Sequence, residues 1–360
     1  MDKKPTIDDV AKMAGVARAT VSRVLNSSPN TSKRARERVI QAVSALNYQV
    51  NQQARQLASG ASRILALVFA ADAEAEPNSY YHSAVELGAI RACNEQGYGL
   101  VTHTLDPAKQ SYRSSILALA DDGRSDGLVL TPPFCDDHEL IQALQSKGFP
   151  FVLVSAGPDA RHLSCSVGID DRQAGLELGV YLLLQGHRRF GFITGPLDHK
   201  SAALRLEGFL EALDNAGHSD QIIEVADGNF TFKSGIDQAE GLLSRNDRPT
   251  ALVCANDDMA AGALFTAHRL GLIVPADLSI TGFDDTPVSQ IVWPPLTTIH
   301  QPLRLIGSKA VELLIADVMR ENGSTTRVAE AHLVSFQLVE RGSTSKISVP
   351  PSLEALPISG

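Results

Sequence analysis

The stretch TIDDVAKMAGVARATVSRVLN, residues 6–26, carries the clearest structural signal in this 360-residue chain. It opens on Thr6 with Asp9 three positions later, a pairing that starts helices by capping the first turn. Apolar residues then recur at helical spacing up to Ala14, and Gly15 suits the left-handed backbone of a tight turn. We therefore expect a short helix, a turn at Gly15, and a second short helix over residues 18–26.

The second helix has two distinct faces. Val21, Val24 and Leu25 share the side that we expect to be buried. The opposite side presents residues that can contact another molecule: Arg18, Ala19, Ser22 and Arg23. Ser32 is placed to cap a third helix that runs to Leu46. Three short helices with a glycine turn between the first two predict a helix-turn-helix unit, in which the second helix enters a DNA major groove.

Charge separates this segment from the rest of the chain. Residues 1–60 hold ten Lys and Arg against four Asp and Glu, a net charge of +6, whereas the whole chain carries −9. A basic head on an acidic body favours a polyanion bound by the head alone, although a solvated basic face remains possible on charge alone.

From residue 62 onward, short apolar runs alternate with helical stretches. Helical patterns cover 82–97 and 204–217, among others. Such alternation predicts parallel sheets covered by helices on both faces, and eight strands favour two similar halves over one sheet. The candidate strands are 64–70, 99–103, 127–131, 151–154, 190–194, 221–225, 251–255 and 278–282.

The pattern of residues 6–26, followed by VIQAVSALNY at 39–48, resembles the LacI/GalR repressors, and the likeness continues to about Arg341. The resemblance implies that Thr20, Ser22 and Arg23 contact phosphates and bases, while Arg18 and Ala19 vary the base readout. It adds four further residues to the DNA-binding set: Thr6, Asn26, Tyr48 and Asn51. Ala17 departs from the family, which has a capping serine there, at an expected cost of about 0.5–2 kcal/mol in helix stability.

Residues 51–58, NQQARQLA, carry no core-like stripe and are too short to be stably helical in water. A plain linker is one interpretation. The resemblance instead implies a hinge helix that folds on operator DNA, with Leu57 inserted into the minor groove and Ala54 against its counterpart in a second subunit.

The resemblance also sets the expected architecture. It implies an all-α helix-turn-helix headpiece (1–50), a hinge (51–61) and an α/β two-lobed sensor of the periplasmic-binding-protein type I fold with parallel sheets (62–342). The chain would cross between the lobes three times, with an effector in the cleft. The expected segments are 62–164 and 293–325 for the N-lobe, 165–292 and 326–342 for the C-lobe, and 343–360 for a flexible tail.

Four residues of the second half are carried over as effector contacts. Arg205 has a planar fork that suits paired oxygens, although a surface salt bridge is the alternative. Asp284 opens the GFDD sequence after a strand, where a carboxylate accepts from sugar hydroxyls; Asp285 is expected to be structural. Asn256 matches a ligand-contacting position, whereas Asp257 is expected to cap the next helix. Phe230 is expected to stack on the ligand or to pack in the core.

On the first half the carry-over is weaker, because the family varies there with its effector. The candidates follow strand ends or their loops: Asp72, Tyr80, Tyr81, Thr131 and Ser155. Asp170, with Asp171 beside it, resembles a recurring family acid after a strand and is also expected to line the cleft.

Other classes fit less well. The sequence has no G-x-S-x-G, no P-loop and no GxGxxG, its histidines and four cysteines show no metal-ligand spacing, and His187 in GHRR matches a structural family marker. We therefore expect no enzyme, no cofactor and no metal. A transported-solute receptor should carry a signal peptide and lack the basic head, and a nucleoid-type DNA binder would not need so large a sensor.

The expected partners are double-stranded operator DNA, a small effector and a second copy of the chain. A two-fold dimer doubles the contacts of one headpiece, and the tail has prolines but no heptads that would favour a tetramer. No apolar run approaches the ~20 residues that span a membrane, so a cytoplasmic protein is expected. The effector itself stays open between a mono- or oligosaccharide and a purine-like corepressor.

Overall fold

The computed structural model describes residues 5–25, 31–46, 48, 62–70, 80–196, 198–218, 221–320 and 329–347. The chain divides into two compact units, Met1–Ser62 and Arg63–Gly360. Each unit is described by itself.

The first unit contains three helices, as predicted: α1 (Ile7–Ala14), α2 (Arg18–Leu25) and α3 (Lys33–Ala45). Thr6 and Asp9 form the expected capping box, and Gly15 ends α1 with φ 60° in the left-handed region. Ser32 caps α3 by accepting from the Ala35 N–H. The apolar sides of the helices pack into a small core around Val10, Val21, Val24, Val39 and Ala42.

Ala17 precedes α2 without a side chain that could cap the helix. Its backbone carbonyl accepts hydrogen bonds from the N–H groups of Thr20 (2.8 Å) and Val21 (3.2 Å). The first turn of α2 is therefore closed by backbone hydrogen bonds, without a side-chain cap from Ala17.

The second unit alternates strands and helices. In chain order its elements are β1 (Ile64–Ala70), α4 (Tyr80–Gln96), β2 (Gly99–Leu105), α5 (Tyr112–Asp121), β3 (Gly127–Leu130), α6 (His138–Ser146), β4 (Phe151–Val154), α7 (Pro158–Arg161), β5 (Ser166–Gly168), α8 (Asp171–Leu184), β6 (Phe190–Thr194), α9 (Lys200–Asn215), β7 (Ile222–Asp227), α10 (Phe232–Leu243), β8 (Ala251–Cys254), α11 (Asp257–Arg269), β9 (Ser279–Thr281), α12 (Val288–Ile291), β10 (Thr298–His300), α13 (Leu303–Val318), β11 (Ala331–Leu333) and β12 (Gln337–Val339).

These strands form two parallel sheets. The first lobe is built on a six-stranded sheet of order β11-β5-β4-β3-β1-β2, and the second lobe on a four-stranded sheet of order β7-β6-β8-β9. All pairings within both sheets are parallel, and their central strands are fully buried, as in other sheets covered on both faces. The prediction of two parallel α/β halves is confirmed.

The chain passes between the lobes three times. It leaves the first sheet after β5, returns from β9 through β10 to α13, and leaves again after β11 through β12. Strands β10 and β12 pair antiparallel, so the second and third passages run side by side.

The sheets place two segments differently from the sequence-based boundaries. Residues 166–168 and 331–333 pair with each other in the first sheet, although both were assigned to the C-lobe. Each strand has only three residues, and neither has the apolar run by which the longer strands were recognised. The strand pairing therefore moves both passages a few residues later in the chain.

The prediction of a flexible tail from residue 343 is wrong for its first five residues. Ser343 is fully buried and donates through Oγ to the Ile280 carbonyl at 2.5 Å. The Ser345 N–H donates to Ser279 Oγ (3.1 Å), and the Ile347 N–H donates to the Gln185 carbonyl (2.9 Å). The serine-rich composition of this segment is typical of a disordered tail, but its polar groups form hydrogen bonds with the edge of the second sheet.

Three helix pairs make mutual glycine contacts, in which a glycine of each helix lies against the backbone of the other. In the α8/α9 pair, a Cβ on Gly175 would lie 2.0 Å from the Arg205 carbonyl oxygen, and one on Gly208 would lie 1.8 Å from that of Arg172. Gly88 and Gly307 play the same part in α4 and α13, as do Gly235 and Gly262 in α10 and α11. Because any side chain would collide with backbone, these glycines set how closely the helices pack.

Among the described residues, no helix combines the length and apolar character needed to cross a membrane.

Candidate functional site

The predicted reading face of α2 is accessible in the first unit. Arg18, Ala19 and Arg23 are exposed, while Thr20 and Ser22 are half-buried. The Arg18 guanidinium lies 3.8 Å from the Asp8 carboxylate, but both side chains are about two-thirds exposed. A pair so open to solvent is weak, so Arg18 remains available for phosphates or base edges.

Two other predicted DNA contacts have structural roles in the first unit. The Thr6 hydroxyl accepts from the Asp9 N–H and donates to the Asp9 carboxylate (2.7 Å) as part of the capping box. Tyr48 packs against the core of the unit, and its N–H donates to the Val43 carbonyl at 3.0 Å. Several predicted positions lie outside the described residues: Asn26, Asn51, Ala54, Leu57 and, in the second unit, Asp72.

In the second unit, Arg205 is the centre of a buried network. Its Nε donates to Asp171 Oδ1 at 2.9 Å, and its Nη1 donates to the Ala255 carbonyl at 2.6 Å. The guanidinium carbon lies 3.7 Å from the centre of the Phe283 ring, within cation–π range. With 6% of its surface exposed, Arg205 is not the surface salt bridge that was its alternative.

Asp284 completes the network on the other side of Arg205. Its carboxylate lies 3.7 Å from Arg205 Nη1 and accepts from Gln301 Nε2 at 2.6 Å. Burial raises the pKa of Asp284 to about 7, although Arg205 and Gln301 both oppose the shift. Asp284 can therefore accept or donate a hydrogen bond to a ligand near neutral pH.

Two neighbouring aspartates, Asp285 and Asp170, have structural roles. Asp285 accepts from Ser289, His300 and Arg341, which fixes the passage between the lobes, as its predicted structural role requires. Asp170 caps α8 by accepting from the Gln173 N–H at 3.0 Å. Of the predicted Asp170-Asp171 pair, it is therefore Asp171 that holds Arg205.

Asn256, rather than Asp257, caps the following helix. Asn256 caps α11 by accepting from the Met259 N–H (2.9 Å), and its Nδ2 donates to the Phe230 carbonyl (2.9 Å). The predicted capping role of Asp257 is wrong. Its fully buried carboxylate instead accepts from the Thr286 N–H and the Thr298 hydroxyl, both at 2.6 Å, and so ties α11 to the passage between the lobes.

Phe230 is held in a defined position at the cleft. Its backbone has φ 65°, its carbonyl is bound by Asn256, and its ring lies edge-on to His199 with 5.4 Å between centroids. A Cβ on Gly195 would lie only 2.1 Å from the Phe230 ring. The ring is half-buried and packs against the core, so it can both pack and offer an edge to a ligand.

On the first lobe, Tyr81 and Ser155 come together. The Tyr81 hydroxyl lies 3.2 Å from Ser155 Oγ, and burial raises the pKa of Tyr81 well above its usual value. The charges of Asp284 and Asp171 raise it further, which places Tyr81 within electrostatic reach of the second lobe. Tyr80 is half-buried beside it, whereas Thr131 is fully buried and donates to the Val68 carbonyl within its own lobe.

Two histidines of the cleft were missed by the sequence analysis. His82 stacks on Phe69 with 4.3 Å between ring centroids, and His199 is bound through Nδ1 to Asp198 at 3.0 Å. Burial and the charge of His199 lower the pKa of His82 to about 4, so this imidazole is neutral at physiological pH. Neither residue directly follows a strand, and neither matches a position that the family resemblance marks as a ligand contact.

Several of these candidate site residues have a strained backbone. Ser155, Phe230 and Asp284 have positive φ values (54°, 65° and 100°), a region that side-chain-bearing residues seldom adopt. Strained residues persist where the surrounding structure fixes them, and they concentrate at binding sites. The arrangement presents an aromatic edge, a fixed guanidinium and several hydrogen-bonding groups, which suits a small polar ligand.

Within the described part of the chain, no group of three or more His, Cys, Asp or Glu is arranged to hold a metal ion. His187 is buried, and its Nδ1 lies 3.1 Å from Thr250 Oγ1. The cysteines Cys93, Cys135, Cys165 and Cys254 are all free thiols.

Comparison with known families identifies both parts of the chain. Residues 6–51 match the bacterial regulatory proteins of the lacI family, and residues 180–344 match the periplasmic binding protein-like domain. The HTH-type transcriptional repressor PurR of Aliivibrio salmonicida is 32% identical over 343 residues, which cover 95% of this chain and 99% of that protein. The repressor of the same name from Proteus mirabilis is 33% identical over 346 residues, covering 94% and 97%.

Solved structures agree with this result. A lac repressor dimer bound to operator and the anti-inducer ONPF superposes with a TM-score of 0.79 at 29% identity, over 95% of this chain and all of that one. The transcriptional regulator CelR in complex with cellobiose gives 0.69 at 30% identity, over 94% and 99%. The headpiece, the two-lobed body and the near-complete match to these relatives show that the chain belongs to the LacI/GalR family of bacterial transcription regulators.

Proposed function

We propose that the protein is a cytoplasmic repressor that binds a pseudo-palindromic operator as a homodimer and is controlled by a small molecule in the cleft. The observation that carries the proposal is the pairing of an exposed basic helix, α2, with a separate body in which the buried Arg205 and Asp284 lie 3.7 Å apart, within electrostatic reach of Tyr81. The relatives named as transcriptional repressors and the operator-bound lac repressor dimer support the same activity.

DNA recognition is assigned to the headpiece and the hinge. Arg18 and Arg23 are proposed to contact phosphates or base edges together with Ala19, Thr20 and Ser22, and a guanidinium can read guanine through two hydrogen bonds. Leu57 is proposed to enter the minor groove once the hinge folds on DNA.

Effector recognition is assigned to the cleft. Arg205 is already held by Asp171 and by the Ala255 carbonyl, and its remaining N–H groups are proposed to bind the effector. Asp284, Asn256, Phe230, Tyr81 and Ser155 are proposed to contact a sugar, because fixed donors and acceptors beside an aromatic edge match hydroxyls and C–H faces. The cellobiose complex of CelR supports a saccharide.

A purine-like corepressor is the second candidate. Phe230 and Tyr81 are aromatic rings that could stack on a nucleobase, and the relatives named PurR support this alternative.

The experiment is a selection of binding sequences from random duplex DNA with the full-length protein, followed by anisotropy titrations of the best sequence. We expect a two-fold-related consensus bound by a dimer, and an affinity that changes when a sugar or a purine is added. Equal affinity for random duplex would contradict operator binding, and a monomeric complex on the consensus would contradict the homodimer.

A further inference from the structure

The two lobes of the body touch at the start of α9. Gly157 of the first lobe is buried at the entrance to α7, and Lys200 is the first residue of α9 in the second lobe. A Cβ placed on Gly157 would lie 3.1 Å from the Lys200 Cβ and 3.2 Å from its Cγ. The backbone of one lobe therefore lies directly against the aliphatic stem of a side chain from the other. We call this the lobe contact.

Space, and not backbone conformation, favours a glycine at position 157. Its φ of −67° and ψ of 168° are ordinary for extended backbone. The Gly157 N–H donates to Asp136 Oδ1 at 2.7 Å, and the same oxygen would lie 3.2 Å from a Cβ on Gly157. A side chain larger than a methyl group would therefore have to displace Lys200 or Asp136.

Charge favours the lobe contact as well. Asp136 is half-buried in the first lobe, beside Gly157. Burial raises the pKa of Asp136, and the nearby Lys200 and His199 oppose this shift. Both of these residues belong to the second lobe, so a first-lobe carboxylate is stabilised by groups across the contact.

Next to the lobe contact the lobes stand apart. A cavity of about 660 Å³ separates the first-lobe loops from α9, and Gly157 and Lys200 form part of its lining. Because like charges repel each other, the carboxylates on its two walls oppose closure. These are Asp136, Asp137, Glu139 and Asp159 on the first lobe and Asp198 and Glu207 on the second. The lobe contact is thus narrow, and forces that favour and oppose it act side by side.

Helix α9 connects the lobe contact to the candidate effector site. Lys200 and Arg205 lie five positions apart on this helix, about 7.5 Å along its axis. Gly175 and Gly208 hold α9 in backbone contact with α8, so the helix moves with its lobe. A movement of α9 away from Gly157 would therefore also carry Arg205 away from the first lobe.

We propose that the lobe contact holds the two lobes together before any effector binds, and that separating Gly157 from Lys200 changes the affinity for operator DNA. The inference rests on the proposed function, in which a molecule between the lobes controls the headpiece. It adds a second determinant of lobe orientation, one that belongs to the protein itself and lies outside the residues assigned to the effector. An effector then acts by shifting an equilibrium that the lobe contact has already biased.

The first experiment joins the lobes in the full-length protein. Gly157→Cys combined with Lys200→Cys places two Cβ atoms 3.1 Å apart, slightly below the ~3.5–4.5 Å of a disulfide. The variant is treated with oxidised glutathione, and mass spectrometry maps the new disulfide against the four native cysteines. The control is Gly157→Cys combined with Glu207→Cys, whose second thiol lies about 10 Å further along α9. We expect the first pair to cross-link about ten-fold faster or more, and the cross-linked protein to keep the operator affinity of its reduced form within about two-fold.

The second experiment separates the lobes. Gly157→Val places bulk against the Lys200 stem, in a backbone conformation that valine adopts readily. Anisotropy with the operator selected above should show a change in affinity of about five-fold or more, and Gly157→Ala should give a smaller change in the same direction. Adding Lys200→Gly to Gly157→Val should restore the parent affinity, because it removes the stem that the valine displaces. A local defect of the first lobe would not be repaired by a change in the second.

Four results would overturn the inference: equal cross-linking of the two cysteine pairs, a cross-linked protein with altered operator affinity, parent affinity in Gly157→Val, or no restoration by Lys200→Gly. The proposed function fails in a different way. A parent protein that binds no operator contradicts the function, whereas the relative cross-linking rates test the lobe contact without DNA.

Discussion

At the scale of single residues, the fold moves the pKa of Asp284 into the range near neutral pH. Its folded pKa of about 7 lies above the ~3.9 of an aspartate in an unfolded chain, so the folded state holds the proton more tightly. The contribution of Asp284 to the free energy of unfolding is therefore fully present below about pH 4 and is lost as the pH rises to about 7.

Asp284→Asn should remove this pH dependence while keeping an acceptor for Gln301. We expect the melting temperature of the parent, relative to the variant, to fall by about 3 °C or more between pH 5 and pH 8. Thermal unfolding of both proteins across this range measures the difference, with the exposed Asp237→Asn as the control substitution. A difference that stays constant with pH would contradict the assignment of the raised pKa to Asp284.

The same scale shows what the sequence could predict of the site. Arg205, Asp284 and Tyr81 were predicted: Arg205 matches a family position on a helix, Asp284 follows a strand, and Tyr81 follows the loop after the first strand. Their contacts with Gln301, Asp171 and Phe283 were not, since these contacts join segments 17 to 78 residues apart and depend on how the elements pack. Arg205 and Asp171 are both nearly inaccessible, so removing Arg205 would leave a buried charge without its partner and destabilise the body as well as the site.

At the scale of elements, the α8/α9 pair links packing to the site. Gly175 and Gly208 bring the two helices into backbone contact, and the same helices carry Asp171 and Arg205. The spacing of the helices therefore sets the geometry of the buried ion pair.

Gly175→Ala should push α9 away from α8, because the new Cβ would meet the Arg205 carbonyl oxygen. We expect a loss of about 1–3 kcal/mol in the free energy of unfolding, together with a weaker effector response. Gly241→Ala is the matched control, since it adds a methyl to another helix of the same lobe with nothing within 4 Å. Equal stability of the two variants in chemical denaturation would show that the close approach at Gly175 is not structural.

The hinge segment gives a prediction of a different kind. Leu57→Ala should reduce operator affinity at least ten-fold while effector binding stays within two-fold, because Leu57 is proposed to act only when inserted into kinked DNA. Anisotropy for operator and calorimetry for effector measure the two effects. Operator affinity equal to that of the parent would assign the segment to a plain linker.

The elements also show where sequence patterns fail. Long apolar strands such as β1 and β6 and capped helices such as α1 were predicted almost to the residue. Four of the five three-residue strands, β5, β10, β11 and β12, were not, because they are too short to show a period and are defined by their partners. The fifth, β9, was predicted within the longer stretch 278–282.

At the scale of the whole molecule, charge is divided between the two units. The first sixty residues carry +6 within a chain of −9, so attraction to DNA is confined to the headpiece. Operator affinity should fall steeply with salt, with a slope of log K against log salt of about −4 or steeper for five or more phosphate contacts. Titrations between 50 and 200 mM salt measure the slope, Arg23→Ala should make it shallower, and a nearly flat dependence would contradict binding through phosphates.

The two ends of the body have a practical consequence. Arg63 leads into β1 of the first lobe, whereas Ile347 is bound to Gln185 beside the second. Dyes attached near these two residues would therefore be carried by different lobes, and energy transfer between the dyes would report changes in lobe orientation directly. A repressor body labelled at these two positions would therefore serve as an optical sensor for the molecule that changes the orientation of its lobes.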